Sequence, residues 1–300
     1  MEAIGEQGLP TLTDSGGRID LLVAYTKEAA EIAKNLQDAF GNPIETVTDI
    51  DVAIQHSVDT ANFVLITSGA PTYLNLVHKA QVKDAEPDVK PKQMLDYMEV
   101  NTSYFDELLD LGDQYRADLT TLMVAGGGQF TACGISKGLE ELVEPAEQSY
   151  FKGRGKLSVY GKNVVKLQCA VINLSLVHEV GHNLGLSHDF YGSGAYPAND
   201  QIPIFTEGRG YVAVPIRKRT VMAYDSLCWD YFPDERPHAG TGLKEVCARL
   251  PLFSSPQLYY DGYALGLTGG GFVKPVNAVS SMKKALWTVA NFRHSLMPPP

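Results

Sequence analysis

Residues 19–25 (IDLLVAY) form an almost unbroken apolar run, the pattern of a short strand covered on both faces. Thr26 then stands where it can cap an Ala-, Lys- and Glu-rich helix running to about Phe40, and Gly41-Asn42-Pro43 breaks that helix. From Ile44 onward, Val47, Ile50, Val52, Ala53, Val58, Ala61 and Val64 recur at helical spacing and predict a long amphipathic helix. Strands are expected over residues 72–82 and 117–124. Gly126-Gly127-Gly128 ends the second of these; no phosphate-loop or dinucleotide pattern follows, so the triplet reads as a turn. A further apolar segment covers 164–172, and 173–184 reads as a helix. Beyond Gly185 turn residues crowd in and regular periods fade until 277–296, which again reads as helix. The pattern therefore predicts an irregular arm over 1–17 and one domain over 18–300. Its α/β upper lobe reaches to about residue 185, and a small irregular lower lobe spans 186–300 and ends in a helix. No internal repeat is visible, and Pro298-Pro299-Pro300 is expected to fray.

Composition narrows the class. The 300 residues are 44% hydrophobic and 20% charged, which excludes a wholly disordered or repeat-only chain. Lys and Arg number 25 against 35 acids, a net charge of −10 with no dense basic run, so nucleic acid is not an expected partner. No stretch approaches the roughly 18 apolar residues of a membrane span, and a soluble monomer without a membrane partner is expected. Met1-Glu2-Ala3-Ile4-Gly5-Glu6 lacks the basic and apolar regions of a signal peptide, which fits a mature segment with an added Met. Cys133, Cys169, Cys228 and Cys247 contain no C-x-x-C pair; two disulfides and an oxidising compartment are expected rather than four buried thiols.

The chemistry concentrates in His178-Glu179-Val180-Gly181-His182-Asn183-Leu184-Gly185-Leu186-Ser187-His188. On a helix, His178 and His182 lie one above the other and can reach one cation. Glu179 sits one residue round the helix, near the metal without needing to bind it, as a base acting on water requires. Gly185 lets the chain leave the helix through a left-handed conformation, and His188 can swing back as third ligand. Three neutral imidazoles suit one zinc ion and leave a fourth position open, which marks a catalytic rather than a structural site. His56, His78, His238 and His294 have no ligand spacing and are read as surface or core residues. Pairing Cys133 with Cys169 and Cys228 with Cys247 closes the shorter loops and leaves the zinc helix free. Acids between 225 and 234 lack an EF-hand spacing; calcium is not indicated there, and they read as solvated loop acids.

This run resembles the H-E-x-x-H-x-x-G-x-x-H signature of metzincin zinc endopeptidases, whose other mark is a methionine-containing turn. Thr220-Val221-Met222-Ala223-Tyr224-Asp225 is similar to that turn, with Met222 as its methionine. Asp189 after the third histidine resembles the reprolysin branch. Tyr224, two residues past Met222, resembles astacins and serralysins, where a tyrosine at that offset stabilises the developing oxyanion. Together with Tyr115-Arg116-Ala117-Asp118-Leu119, Ala132-Cys133-Gly134-Ile135, Gly208-Arg209-Gly210-Tyr211 and Phe253-Ser254-Ser255-Pro256, these features resemble secreted bacterial reprolysin-like peptidases, a group that includes the peptidyl-Asp metalloendopeptidases. The likeness runs over residues 19–293.

The resemblance implies a metzincin-like α/β (α+β) fold: a twisted mixed sheet with long helices, an antiparallel edge strand that pairs with extended substrate, and a small lower lobe ending in a helix. It implies a secreted zinc endopeptidase acting on protein or peptide substrates, with Glu179 and Tyr224 catalytic and His178, His182 and His188 on the metal. No cysteine-dense tail follows the catalytic region, no cysteine precedes Cys133 to serve as a zinc-blocking latch, and any propeptide lies outside this sequence. In metzincins the segment around the Met-turn walls the pocket for the residue after the scissile bond (P1′). Here Arg217, Lys218 and Arg219 precede that turn while Lys244 and Arg249 follow, so a cation in the pocket, drawn from Arg217, Lys218 and Arg219, would favour an acidic P1′ side chain. Two alternatives remain: a catalytically silent binding or toxin module on the same frame, which predicts a damaged site, and a zinc amidase acting on non-protein substrates.

Overall fold

Two short strands, β1 (Ala3–Ile4) and β2 (Pro10–Thr11), pair antiparallel where irregular chain was expected, ahead of β3 (Arg18–Tyr25). In β3 the unbroken apolar run acquires its reason. Side chains alternate across a strand, so Ile19, Leu21 and Val23 enter one core while Leu22 and Ala24 enter another on the opposite face. The computed structural model describes residues 3–4, 10–11, 14–38, 40–99, 104–142, 156–192, 204–235 and 245–293. His238, Lys244, His294 and the terminal prolines lie outside them.

Five strands build the main sheet in the order β4 (Tyr73–Gln81), β3, β5 (Leu119–Val124), β7 (Lys162–Lys166) and β6 (Gly134–Ser136). The first four are parallel and β6 runs antiparallel to β7, so the sheet is mixed and β6 forms its edge. On one face pack α2 (Ile50–Thr67), α5 (Leu167–Ile172), α6 (Ser175–Asn183) and α8 (Ala278–Val289); on the other pack α3 (Pro91–Tyr97) and α4 (Glu107–Tyr115).

The differences from the expected elements have local causes. Thr26 does cap α1 (Lys27–Ala33), its Oγ1 accepting the Ala29 N–H at 3.1 Å, but the helix ends at Ala33. Beyond it Asp38 accepts the N–H groups of Phe40 and Asn42 and folds the chain into a turn instead. Helix α2 begins at Asp49, whose side chain accepts the Val52 N–H at 3.0 Å, rather than at Ile44. The apolar segment 164–172 divides into the end of β7 and the whole of α5. Helices α3 and α4 arise in a polar stretch that gave no strong period, α3 opening on Pro91 at its first turn.

Outside the main sheet are three short strands in the order β10 (Ala248–Arg249), β9 (Lys218–Arg219), β8 (Val212–Ala213), helix α7 (Ser226–Tyr231) and the hairpin β11 (Ser255–Tyr260)–β12 (Tyr263–Leu265). Both expected disulfides are present. Cys133–Cys169 ties the approach to β6 onto α5, and Cys228–Cys247 ties α7 to the approach to β10, with Cα separations of 5.5 and 6.0 Å.

At one end of β3, three buried carboxylates converge. Arg18 approaches Asp14 at 3.3 Å and Asp20 at 3.1 Å, while Asp118 accepts the backbone N–H groups of Asp20 and Arg293 at 2.9 and 3.1 Å. Burial raises the Asp14 carboxyl from 3.8 to about 6, Arg18 opposing and Asp20 adding to the rise. A raised acid favours the folded state while protonated, so its contribution is complete below about pH 4 and is lost as the pH climbs through about 6. Asp14→Asn is expected to flatten the fall in stability across that window, read from urea midpoints against pH; an unchanged slope would assign the coupling to its neighbours.

Candidate functional site

Helix α6 carries the first two histidines and the acid, and its placement depends on polar anchors at its end. Asn183 is fully buried; its Nδ2 donates to the carbonyls of Lys137 and Tyr160 at 2.9 and 2.6 Å, and its Oδ1 accepts from Asn163 at 2.9 Å. This pins the helix to the β6–β7 edge. Gly185 then takes φ +79°, the left-handed exit that its position after the helix requires, and a Cβ there would meet Ile204 at 2.7 Å.

After the turn, Ser187 bridges to Arg209 and His188 swings back. His188 Nε2 lies 3.2 Å from His178 Nε2 and 3.0 Å from His182 Nε2. His178 Nδ1 donates to the Val221 carbonyl at 2.9 Å and His182 Nδ1 donates to that of Leu186 at 2.9 Å. Those bonds fix the tautomers and leave the Nε2 lone pairs facing one another. Burial lowers all three imidazoles below the ordinary histidine range, neighbouring rings adding to the effect at His178 and His188, so the rings are neutral. Three converging lone pairs repel without a cation between them; the donor set fits a divalent metal, with imidazoles that suit zinc.

The turn around Met222 lies beneath this group. Met222 is fully buried against Gly181, where a Cβ would stand 2.6 Å from its sulfur. Val221, which orients His178, is itself held by its N–H to the Leu252 carbonyl at 2.9 Å. Asp189 joins the third ligand to the turn: one oxygen accepts from Tyr191 and Gly192 at 3.0 and 2.6 Å, the other from the Tyr224 N–H at 2.8 Å. The Tyr224 ring sits 4.1 Å from that of His188, centre to centre, and stays 38% exposed.

Glu179 is buried beneath the edge strand, and burial pushes its carboxyl up to about 8 against the pull of Arg249. A Cβ on Gly134 of β6 would come within 2.6 Å of Glu179 Oε1, so only glycine leaves the carboxylate its place. The sequence reading missed this role for Gly134, and likewise those of Gly181 and Asn183. For the last two a signal existed: a glycine and an asparagine inside a helix are unfavourable unless something approaches closely or the amide is needed as an anchor.

Each cation of the basic triplet has a partner of its own. Arg217 pairs with Glu235 at 2.8 Å and stacks over Phe232. Lys218 lies 5.8 Å from the centre of the Tyr260 ring. Arg219 is buried, its Nε donating to the Cys247 carbonyl at 3.0 Å, Nη1 to that of Ala223 at 2.8 Å, and Nη2 pairing with Glu245. Arg217 and Arg219 meet acceptors, and Lys218 lies over a ring, so none of the three stands isolated. Asp225 departs from its expected solvated state in the same way, being buried and accepting the N–H groups of Val246 and Cys247 at 2.7 and 2.8 Å. Among the remaining histidines, His78 stacks on Tyr115 at 3.8 Å and His56 is exposed.

Residues 52–189 match the metallo-peptidase family M12B, reprolysin-like. Over 293 residues the chain is 26% identical to a peptidyl-Asp metalloendopeptidase from Pseudomonas aeruginosa, the match taking in 93% of this chain and 41% of that relative. A solved structure described as "Structure of a chaperone-substrate complex" aligns with TM-score 0.56 and 18% identity over 92% of this chain and 35% of that one, a likeness of fold. The chain thus spans less than half the length of either. Among the described residues no helix is long and apolar enough to cross a membrane.

Proposed function

We propose that this chain, a metzincin-like metallopeptidase of the reprolysin-like M12B family, is a zinc endopeptidase that hydrolyses internal peptide bonds of proteins or peptides. The observation that carries the reading is the convergence of the three imidazole Nε2 atoms, His188 lying 3.2 and 3.0 Å from His178 and His182 of the helix that also carries the buried Glu179. His178, His182 and His188 would hold the ion, which when bound supplies Lewis acidity towards water and the scissile carbonyl. Glu179 takes the proton from the attacking water as the oxygen–carbon bond forms. It returns that proton to the leaving amine as the carbon–nitrogen bond breaks, so the carboxylate is regenerated. Tyr224, partly exposed beside His188, donates to the oxygen on which charge develops.

The catalytic unit is assigned to residues 18–300, and the two disulfides support an extracellular setting. An acidic residue is assigned to P1′, a preference supported by the name of the Pseudomonas aeruginosa relative.

Casein hydrolysis should disappear on dialysis against a chelator and return with one equivalent of zinc. Undiminished hydrolysis by metal-free protein, or no hydrolysis by zinc-loaded protein, overturns the reading. Tyr224→Phe is expected to lower kcat about 10- to 1000-fold with metal content unchanged, as loss of a single oxyanion donor does. A rate equal to wild type would reduce Tyr224 to a packing residue of the turn.

A further inference from the structure

Arg249 of β10 reaches across to the approach to the catalytic helix α6. Its backbone N–H donates to Glu245 Oε2 at 3.1 Å and its Nη1 donates to the Asn173 carbonyl at 2.8 Å, just ahead of α6. That is its only side-chain hydrogen bond among the described residues, although a guanidinium carries five N–H donors, and its Nε is buried with no partner. No carboxylate pairs with it among the described residues. Glu245, the nearest in sequence, already gives Oε1 to Arg219 and Oε2 to the Arg249 backbone. Glu179, Tyr224, His178 and His188 all feel its charge. A guanidinium beside a reaction centre, with a buried Nε that has no partner and no carboxylate in ion-pair contact among the described residues, points to an anionic ligand, because leaving those donors unmet is costly.

The direction of that charge selects the ligand. Glu179 delivers its proton to the leaving amine, and the side chain of the P1′ residue hangs from the carbon bonded to that nitrogen. Arg249, anchored on the Asn173 carbonyl at the approach to the helix that carries Glu179, is therefore placed to meet the P1′ side chain. We propose that Arg249, rather than the triplet Arg217–Lys218–Arg219, is the specificity-determining residue, its guanidinium receiving the carboxylate of an acidic P1′ side chain. The inference rests on the endopeptidase reading above.

Two quenched peptides identical except for Asp or Asn at P1′ isolate the charge. Wild type should favour Asp, and Arg249→Gln should lower the Asp/Asn ratio of kcat/KM about 10- to 100-fold, the range for loss of a charge-assisted hydrogen bond. Arg249→Lys, which keeps the charge without the planar fork, should retain part of the ratio and serves if the glutamine variant fails to fold. Calorimetric binding of product peptides beginning with Asp or Asn gives a readout independent of turnover, and wild type should hold the Asp peptide more tightly, the difference vanishing in Arg249→Gln. A wild type indifferent to Asp, or an Asp preference that survives Arg249→Gln, overturns the proposal. So does an equal fall on both peptides with a displaced pH profile, which would make Arg249 a positioning residue for Glu179. If no peptide is cleaved at all, the endopeptidase reading fails and the binding comparison alone decides whether Arg249 recognises the acid.

Discussion

Glu179→Gln is expected to retain one equivalent of bound metal and to lose about 10²–10⁴-fold in kcat, the span that a positioned general base contributes. The substitution is nearly isosteric, which matters because the carboxylate lies under β6, with no room for a side chain at Gly134. The amide fits the same space and leaves the three imidazoles and their Val221 and Leu186 carbonyls untouched, so the metal site stays intact. What the amide lacks is a basic oxygen that can take the proton from water. Elemental analysis beside steady-state kinetics separates the two consequences. A metal-replete variant that turns over at the wild-type rate would remove Glu179 from the mechanism, whereas a variant that loses its metal would show that the carboxylate holds the site together.

The centre was legible because its parts are local. His178, Glu179 and His182 share one helix, Gly185 marks where it ends, and His188 follows within a turn, so residue spacing alone fixes their geometry. The disulfides were legible for a related reason, since closing short loops is entropically easiest. What could not be read depends on the register of strands only two or three residues long. Gly134 lies above Glu179 because β6 pairs antiparallel with β7 in one particular register, and nothing in the tripeptide Gly134-Ile135-Ser136 announces it. The cations show the same limit. Arg217–Arg219 adjoin the Met-turn in sequence, yet Arg217 takes a left-handed conformation at φ +51° and turns towards Glu235. Arg249, much further along the chain, is brought beside Arg219 by the parallel pairing of β10 with β9. Strand pairing thus sets two arginines distant in sequence side by side, which no local pattern announces.

Gly210→Ala is expected to damage the metal site without touching a ligand. A Cβ at this position would stand 2.4 Å from Ala223 N, 2.5 Å from Met222 C and 2.7 Å from Ala223 Cα. All three are backbone atoms, so no rotamer change relieves the overlap and the turn itself must move. That turn supplies the carbonyl that orients His178 and, through the Tyr224 N–H, the partner of Asp189 beside the third ligand. The expected result is a loss of about 1–3 kcal/mol in stability, the usual cost of overpacking. Metal affinity should fall about 10- to 100-fold, the effect of disturbing groups that orient a ligand. Gly127→Ala is the matched control, since its Cβ meets nothing within 4 Å and its backbone conformation is ordinary. Competition against a chromophoric chelator measures the affinity, and urea unfolding of the metal-free proteins measures the stability. If Gly210→Ala unfolds earlier yet binds metal as tightly as the control, the turn supports the fold alone. If both quantities fall together, the methionine turn and the three-histidine centre behave as one mechanical unit, with Gly210 the contact that sets their spacing.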